Sequence, residues 1–399
     1  MNCSSELPRG AALLAVVVLS ALLFGCGTPP RRTTPVTPSA VVKPTVQYER
    51  ARWSALPGWA ADDVREVWPA LLKSCRALRF RPEWSTACTA AQAANAQSSR
   101  SVRSFFEQYF EPYQVLSVAG AQREESGLVT GYYEPQLTGS RTQSSVFNTP
   151  LYSPPPDLLT IDLASLYPEL KGKRLRGRLE GNRVVPYYSR AEIGADTNVR
   201  GYEIVWVNDA LDAFLLQVQG SGRVVLPNGE TIRLQFADQN GYPYQSIGRY
   251  LIERGDLTTA QATLPGIRQW LTQNPTRLQE VLNANPSVVF FREEKLDDPT
   301  QGPKGAFGVP LTAGRSIAVD PASIPLGAPV FLATTRPAAD EPLQRLVMAQ
   351  DTGGAIRGIV RADFFWGFGP EAGAQAGNMR QQGRMWLLWP KGAALPTGS

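Results

Sequence analysis

"AQDTGGAIRGIVRADFFWGFGPEAGAQAG", residues 349–377, holds seven glycines, two aspartates, one glutamate and a Phe-Phe-Trp run in 29 positions. Glycine at that density means backbone in unusual conformations or in close approach to another group. The segment is preceded by "SVVFF", "SIAVD", "APVFLAT" and "RLVMAQD", short runs with strand texture separated by turn residues. It therefore belongs to a β architecture, and its acids are turn-formers, metal ligands or catalysts.

Asp351 opens Asp-Thr-Gly-Gly, and Asp-Thr-Gly also begins the catalytic turn of aspartic proteases. That chemistry needs two such turns whose carboxyl groups share a proton. The chain has no second Asp-Thr-Gly or Asp-Ser-Gly, and Gly354 stands where Ser or Thr is required. Asp363 lies directly before large apolar residues, in "VRADFFWGFG". A carboxyl group held against aromatic walls is desolvated, which raises its pKa and makes it a usable general acid. A turn or cap role is the plain alternative for both residues. Asp320, in "SIAVDPASIPLG", is a third acid at a strand end, and turn formation explains it equally well. The three do not follow the alternating oxygen-ligand spacing of a calcium loop, so no metal site is expected.

Composition narrows the chemistry further. The 399 residues contain 33 prolines and 35 glycines, which favours many short strands and turns over a helical bundle. There is no histidine at all. Ser-His-Asp and Cys-His machinery and imidazole-bound zinc are thereby excluded, and acid/base work falls to Asp, Glu, Tyr, Lys or Cys. The formal charge of +5 is spread along the chain, with no basic run interleaved with aromatics, so no nucleic-acid partner is expected.

At the N-terminus an apolar run over residues 11–25 ends in Cys26. It is short for a membrane span and reads as a signal peptide, residues 1–25. Leu23-Phe24-Gly25-Cys26 resembles a bacterial lipoprotein box, so Cys26 is the expected lipid attachment site. Gly27 follows in place of an Asp, which favours the outer membrane of a Gram-negative bacterium, facing the periplasm. Residues 26–47, rich in Pro and Thr, read as an extended tether. Of the remaining cysteines, Cys75 and Cys88 are disulfide candidates in an oxidising compartment, with two buried thiols as the alternative.

Residues 57–78 have helical spacing with Asp62 and Asp63 as caps, and residues 84–110 continue as one or two helices. From Gly127 the texture turns to strands, including "FLLQVQGSGRVVLPNGETIRLQF" with a Pro-Asn-Gly hairpin turn. Short helices are expected at 245–254, 259–273 and 276–284. "VQGSG" sets Gln219 and Ser221 at a strand end, where amide and hydroxyl groups suit hydrogen bonding to sugars. Tyr132 and Tyr133, in "GYYEP", suit stacking on pyranose rings, or core packing.

"GYYEPQLTGS", "LQVQGSG", "NGYPYQSIGRYLI", "NPSVVFF", "DTGGAIRG" and "DFFWGFGPEAGAQAG", in that order, resemble the MltA family, the membrane-bound lytic murein transglycosylases. The resemblance runs from about Leu56 to Pro390, and the final block is similar to the family's 3D domain, whose three aspartates fall on Asp320, Asp351 and Asp363. It implies a mainly β protein. A domain of N-terminal helices plus a double-psi β-barrel (48–138 and 291–399) would be interrupted by an inserted second β-barrel (139–290). It further implies cleavage of the β-1,4 bond between N-acetylmuramic acid (MurNAc) and N-acetylglucosamine (GlcNAc) in peptidoglycan, leaving 1,6-anhydroMurNAc ends. Asp363 would be the single acid/base and Asp351 its supporting acid, with Tyr132, Tyr133, Gln219, Ser221, Gly353, Gly354 and Asp320 along the glycan. No cofactor is needed, and a monomer is expected. A hydrolase would use two carboxylates; a transglycosylase uses the substrate's own 6-hydroxyl. The alternatives are an inverting peptidoglycan hydrolase on the same barrel and a non-catalytic peptidoglycan-binding lipoprotein.

Overall fold

In "ADFFWGF" successive side chains leave the backbone on opposite sides, as a strand requires. Ala362 and Phe364 enter the main core, whereas Phe365 joins a separate cluster with Tyr132, Leu311, Ala318 and Ile356. They lie on the strand Ala362–Phe368 of a computed structural model. It describes residues 43–170, 172–173, 175–195, 199–296, 298–337 and 339–397, which belong to one compact unit, Val42–Ser399. The expected signal peptide, Cys26 and most of the expected tether lie outside the described residues. The tether's last three residues fall in the strand Thr45–Arg50, where Val46 and Tyr48 pack against the core.

Six strands close into a ring. Arg380–Pro390 pairs antiparallel with Pro329–Thr335, which pairs antiparallel with Pro342–Asp351. Ser316–Val319 follows in parallel, then Ala362–Phe368 antiparallel and Gly127–Glu134 parallel. Gly127–Glu134 returns antiparallel to Arg380–Pro390 and completes the circuit. Closure leaves these six strands without a free edge. Val129, Ile317, Val319, Ala349, Ala362 and Phe364 are all buried on one side of the adjoining strands. Thr45–Arg50 and Phe110–Ala119 extend the sheet outward from Arg380–Pro390.

The helices Trp68–Leu78, Pro82–Ala93 and Ser99–Tyr109 pack on this sheet, with Trp84 edge-on to Trp389 at 5.4 Å. Proline in the first turn starts two of them, where its missing N–H costs nothing. Ser98 and Ser101 form a capping box on the third. A disulfide between Cys75 and Cys88 joins the first two helices. Asp63 caps the preceding turn by accepting the Arg65 N–H, but Asp62 does not cap. It is buried, takes both terminal nitrogens of Arg315 at 2.8 and 2.7 Å and accepts the Leu346 N–H at 2.7 Å. A charge buried so deeply requires partners of that quality.

A second, six-stranded sheet runs in the order Val289–Lys295, Thr231–Gln239, Ser221–Val225, Gln136–Ser140, Glu203–Val207, Thr149–Tyr152, and a small three-stranded sheet stands beside it. Helices Ile247–Glu253, Leu264–Gln273 and Leu278–Asn283 fall within the expected ranges. Residues 214–219 differ: the expected start of a strand lies in a helix, Ala210–Gln219. Asp209 accepts the Asp212 N–H at its start, and Gly220 closes it at φ 78°. Ala213 and Leu216 face the six-stranded sheet while Leu211 and Phe214 face the other helices. Burial on two sides erases the amphipathic pattern and leaves an apolar run that reads like a strand.

Candidate active site

Register sets the site. Ala318 is paired with Asp351 on one side and with Asp363 on the other, and Asp363 is paired in turn with Thr130. Directly paired residues share a face of the sheet, so Asp351, Ala318, Asp363 and Thr130 form one cross-strand row. Two strand spacings separate the aspartates, roughly 10 Å between Cα atoms, and the buried Ala318 between them packs with Tyr132, Leu311, Ile356 and Phe365. The opposite face carries Ala362 and Phe364 into the core. The aromatic run after Asp363 is therefore not a single wall: Phe365 shares its side, and Phe364 does not.

Asp363 is half-buried. The Thr130 hydroxyl donates to its Oδ1 at 2.5 Å, and Arg361 Nη2 donates to the Thr130 oxygen at 2.9 Å. Because the guanidinium occupies the acceptor side of Thr130, the hydroxyl proton is aimed at Asp363. Desolvation pushes the Asp363 carboxyl up to about 6, the Thr130 bond and the Arg361 charge pull it down, and Asp351 pushes it up again. Loss of solvation wins.

Asp351 is held differently. Its Oδ1 accepts the backbone N–H groups of Ala306 at 2.8 Å and Thr352 at 2.9 Å, and its Oδ2 accepts the Tyr132 hydroxyl at 3.1 Å. Burial, reinforced by both aspartates, raises the Tyr132 phenol well above its ordinary pKa, so it stays a neutral donor. Tyr132 is only 9% exposed and its ring lies 5.1 Å from that of Phe365. It has no free face for a sugar, and it supports Asp351 instead.

The other expected residues are spread around this row. Asp320 accepts the Ala322 and Gly358 N–H groups at 3.2 and 2.9 Å, which ties down the turn after its strand. Gly354 is exposed with open space around it, beside Asp351, while Gly353 lies against Ile356. Gln219, at a helix end and not a strand end, accepts the Tyr133 N–H at 3.2 Å. Ser221 is 4% exposed within the sheet and does not reach a surface groove. The Tyr133 ring packs where a Cβ on Gly373 would stand, 2.8 Å away, so that glycine serves helix packing.

Sequence reasoning missed Thr130, Arg361 and the buried Glu134. Glu134 accepts from Arg223 at 2.8 Å and Arg233 at 2.6 Å, while Arg223 also donates to the carbonyls of Pro299 and Gln301 at 2.8 and 3.2 Å. A signal existed: Thr130, Tyr132 and Glu134 alternate in "TGYYE", so a strand puts all three polar groups on one face.

With this geometry in place, comparison with known proteins gives consistent matches. The family model described as the MltA specific insert domain matches residues 128–292, and that of the 3D domain matches residues 315–389. The membrane-bound lytic murein transglycosylase A of Escherichia coli strain K12 is 33% identical over 283 residues, 67% of each chain. The crystal structure of MltA from Neisseria gonorrhoeae superposes with a TM-score of 0.76 at 35% identity, covering 92% of this chain and all of that one. Escherichia coli MltA with bound chitohexaose superposes with a TM-score of 0.61 at 29% identity, covering 81% of this chain and 90% of that one.

Proposed function

The chain belongs to the MltA family of lytic murein transglycosylases, and from that premise we propose that it cuts peptidoglycan between MurNAc and GlcNAc with Asp363 as its single acid/base. The observation that carries this reading is the Asp363 carboxyl itself. It is half-buried in the row Asp351–Ala318–Asp363–Thr130, fixed by Thr130 and raised to about 6.

Thr130 occupies Oδ1, which leaves Oδ2 to carry the proton. Asp363 gives that proton to the glycosidic oxygen as the bond from MurNAc C1 to GlcNAc O4 breaks, and GlcNAc leaves with a free 4-hydroxyl. The MurNAc 6-hydroxyl then bonds to C1, its proton returns to Asp363, and a 1,6-anhydro ring remains. One carboxyl thus serves as acid and then as base. Asp351, pinned by Ala306, Thr352 and Tyr132, is a fixed negative neighbour of the positive charge that develops at C1.

The closed six-stranded ring, with its mixture of parallel and antiparallel pairs, supports the double-psi barrel reading. The insert would be residues 139–290. The apolar N-terminal run and Cys26 support a lipid anchor in the outer membrane facing the periplasm, with a monomer as the working unit. Among the described residues no helix is long and apolar enough to cross a membrane.

The test is product analysis. Digestion of purified sacculi should yield 1,6-anhydroMurNAc ends by mass, and Asp363→Asn should abolish them. Reducing MurNAc ends would mean hydrolysis and defeat the proposal.

A further inference from the structure

We infer that Phe368 is a stacking platform for a pyranose ring of the glycan strand, a subsite fixed from behind by Arg223. The inference rests on the glycan-cleaving role proposed above and adds a residue that holds the substrate away from the reacting bond.

Strand alternation alone would send Phe368 to the same side as Phe364, into the core. The register shift between Phe365 and Phe368 and the φ of 110° at Gly367 break that alternation. Phe368 consequently ends 43% exposed at the far end of the Asp363 strand. A single exposed aromatic residue is ordinary. This one is backed: the Arg223 guanidinium lies 3.7 Å from its ring centroid and is itself 2% exposed. Arg223 is in turn held by Glu134 and by the carbonyls of Pro299 and Gln301. One face of the ring is therefore covered and rigid, and the other is left to solvent.

The platform also lies in line with the carboxylates. The segment that anchors Arg223 at 299 and 301 passes Phe365 at Gly302 and reaches Asp351 at Ala306. It runs beside the Asp363 strand from platform to acid. Asp363 and Phe368 are separated by five residues of strand, at most roughly 16 Å when extended. That span suits a polymer occupying several sugar positions at once. The C–H face of a pyranose is flat and apolar, so an aromatic plane fixed in advance binds it without an ordering cost.

The experiment titrates chitohexaose into the purified full chain and measures sacculus cleavage in parallel. Phe368→Leu keeps apolar bulk but loses the flat face, and Phe368→Trp enlarges that face. We expect Phe368→Leu to weaken chitohexaose binding about tenfold and to raise KM on sacculi with kcat held, while Phe368→Trp binds at least as tightly as the parent. Unchanged affinity in Phe368→Leu would overturn the subsite alone. A fall in kcat alongside binding would assign Phe368 a structural role and overturn it as well. Wild-type protein that neither binds chitohexaose nor cuts sacculi would overturn the proposed function, and the subsite with it.

Discussion

Asp363 is an acid that the fold holds at a cost. Its carboxyl, raised from the ordinary 3.8 to about 6, favours folding in its protonated form and opposes it when ionised. That contribution is fully present below the unfolded pKa and is lost as pH rises through about 6. Asp363→Asn keeps an acceptor for Thr130 and removes the charge. The variant should gain up to about 3 kcal/mol of stability at pH 7.5, with the gain vanishing near pH 3.5, while anhydro product formation is lost. Thermal melts of both proteins across that range measure it, and equal midpoints at pH 7.5 would refute the desolvation account. Thr130 gives the complementary case. Its hydrogen bond lowers the Asp363 pKa, so Thr130→Val should move the alkaline limb of kcat/KM upward by about one unit. The same variant should lower kcat, because the carboxyl loses its fixed orientation. A pH–rate profile with an unmoved limb would remove Thr130 from the proton's control.

At the scale of elements, legibility followed periodicity. The runs "APVFLAT" and "RLVMAQD" are strands in the barrel ring, and the short helices after 245 kept a helical period because their apolar residues turn to one shared cluster with Leu211 and Phe214. Helix Ala210–Gln219 was not legible as such, since it is covered on two sides and carries apolar residues all round. Its ends were written in the sequence: Asp209 as cap and Gly220 as terminator. The two aspartates stand out as candidate site residues from their glycine-rich setting. Their relation does not, because it depends on both pairing with Ala318, a residue more than 30 positions from either. From the sequence Tyr132 suits stacking or core packing alike, and the hydroxyl bond to Asp351 that gives it a third role spans 219 positions. Phe368 escaped notice for the opposite reason: a local bulge overrules the strand period that would have buried it.

At the scale of the molecule, the barrel and the six-stranded sheet meet at one buried carboxylate. Glu134 ends a barrel strand with no exposed surface, and its partners Arg223 and Arg233 belong to neighbouring strands of the other sheet. Both arginines also reach the Gln301 carbonyl, and Gln235 on the same strand as Arg233 holds Lys304 by its N–H and carbonyl at 3.1 and 2.8 Å. The segment 299–306 is thereby clamped from the sheet side, and its end supplies the Ala306 N–H to Asp351. Charge removal at Glu134 leaves two buried guanidinium groups without a counter-charge, and breaking such a pair costs about 3–5 kcal/mol. Glu134→Gln preserves the shape, so it should lower the unfolding free energy by that amount, read as a lower urea midpoint at an unchanged slope. Replacing Glu134, Arg223 and Arg233 together by Leu, Met and Met should recover much of the loss, since a buried ion cluster and an apolar one of equal volume are close in stability. The triple variant should still raise KM on sacculi, because Phe368 loses the guanidinium behind it. A single Glu134→Gln variant within about 1 kcal/mol of the parent would show that the two sheets are held together by their apolar contacts, with the ion cluster contributing little.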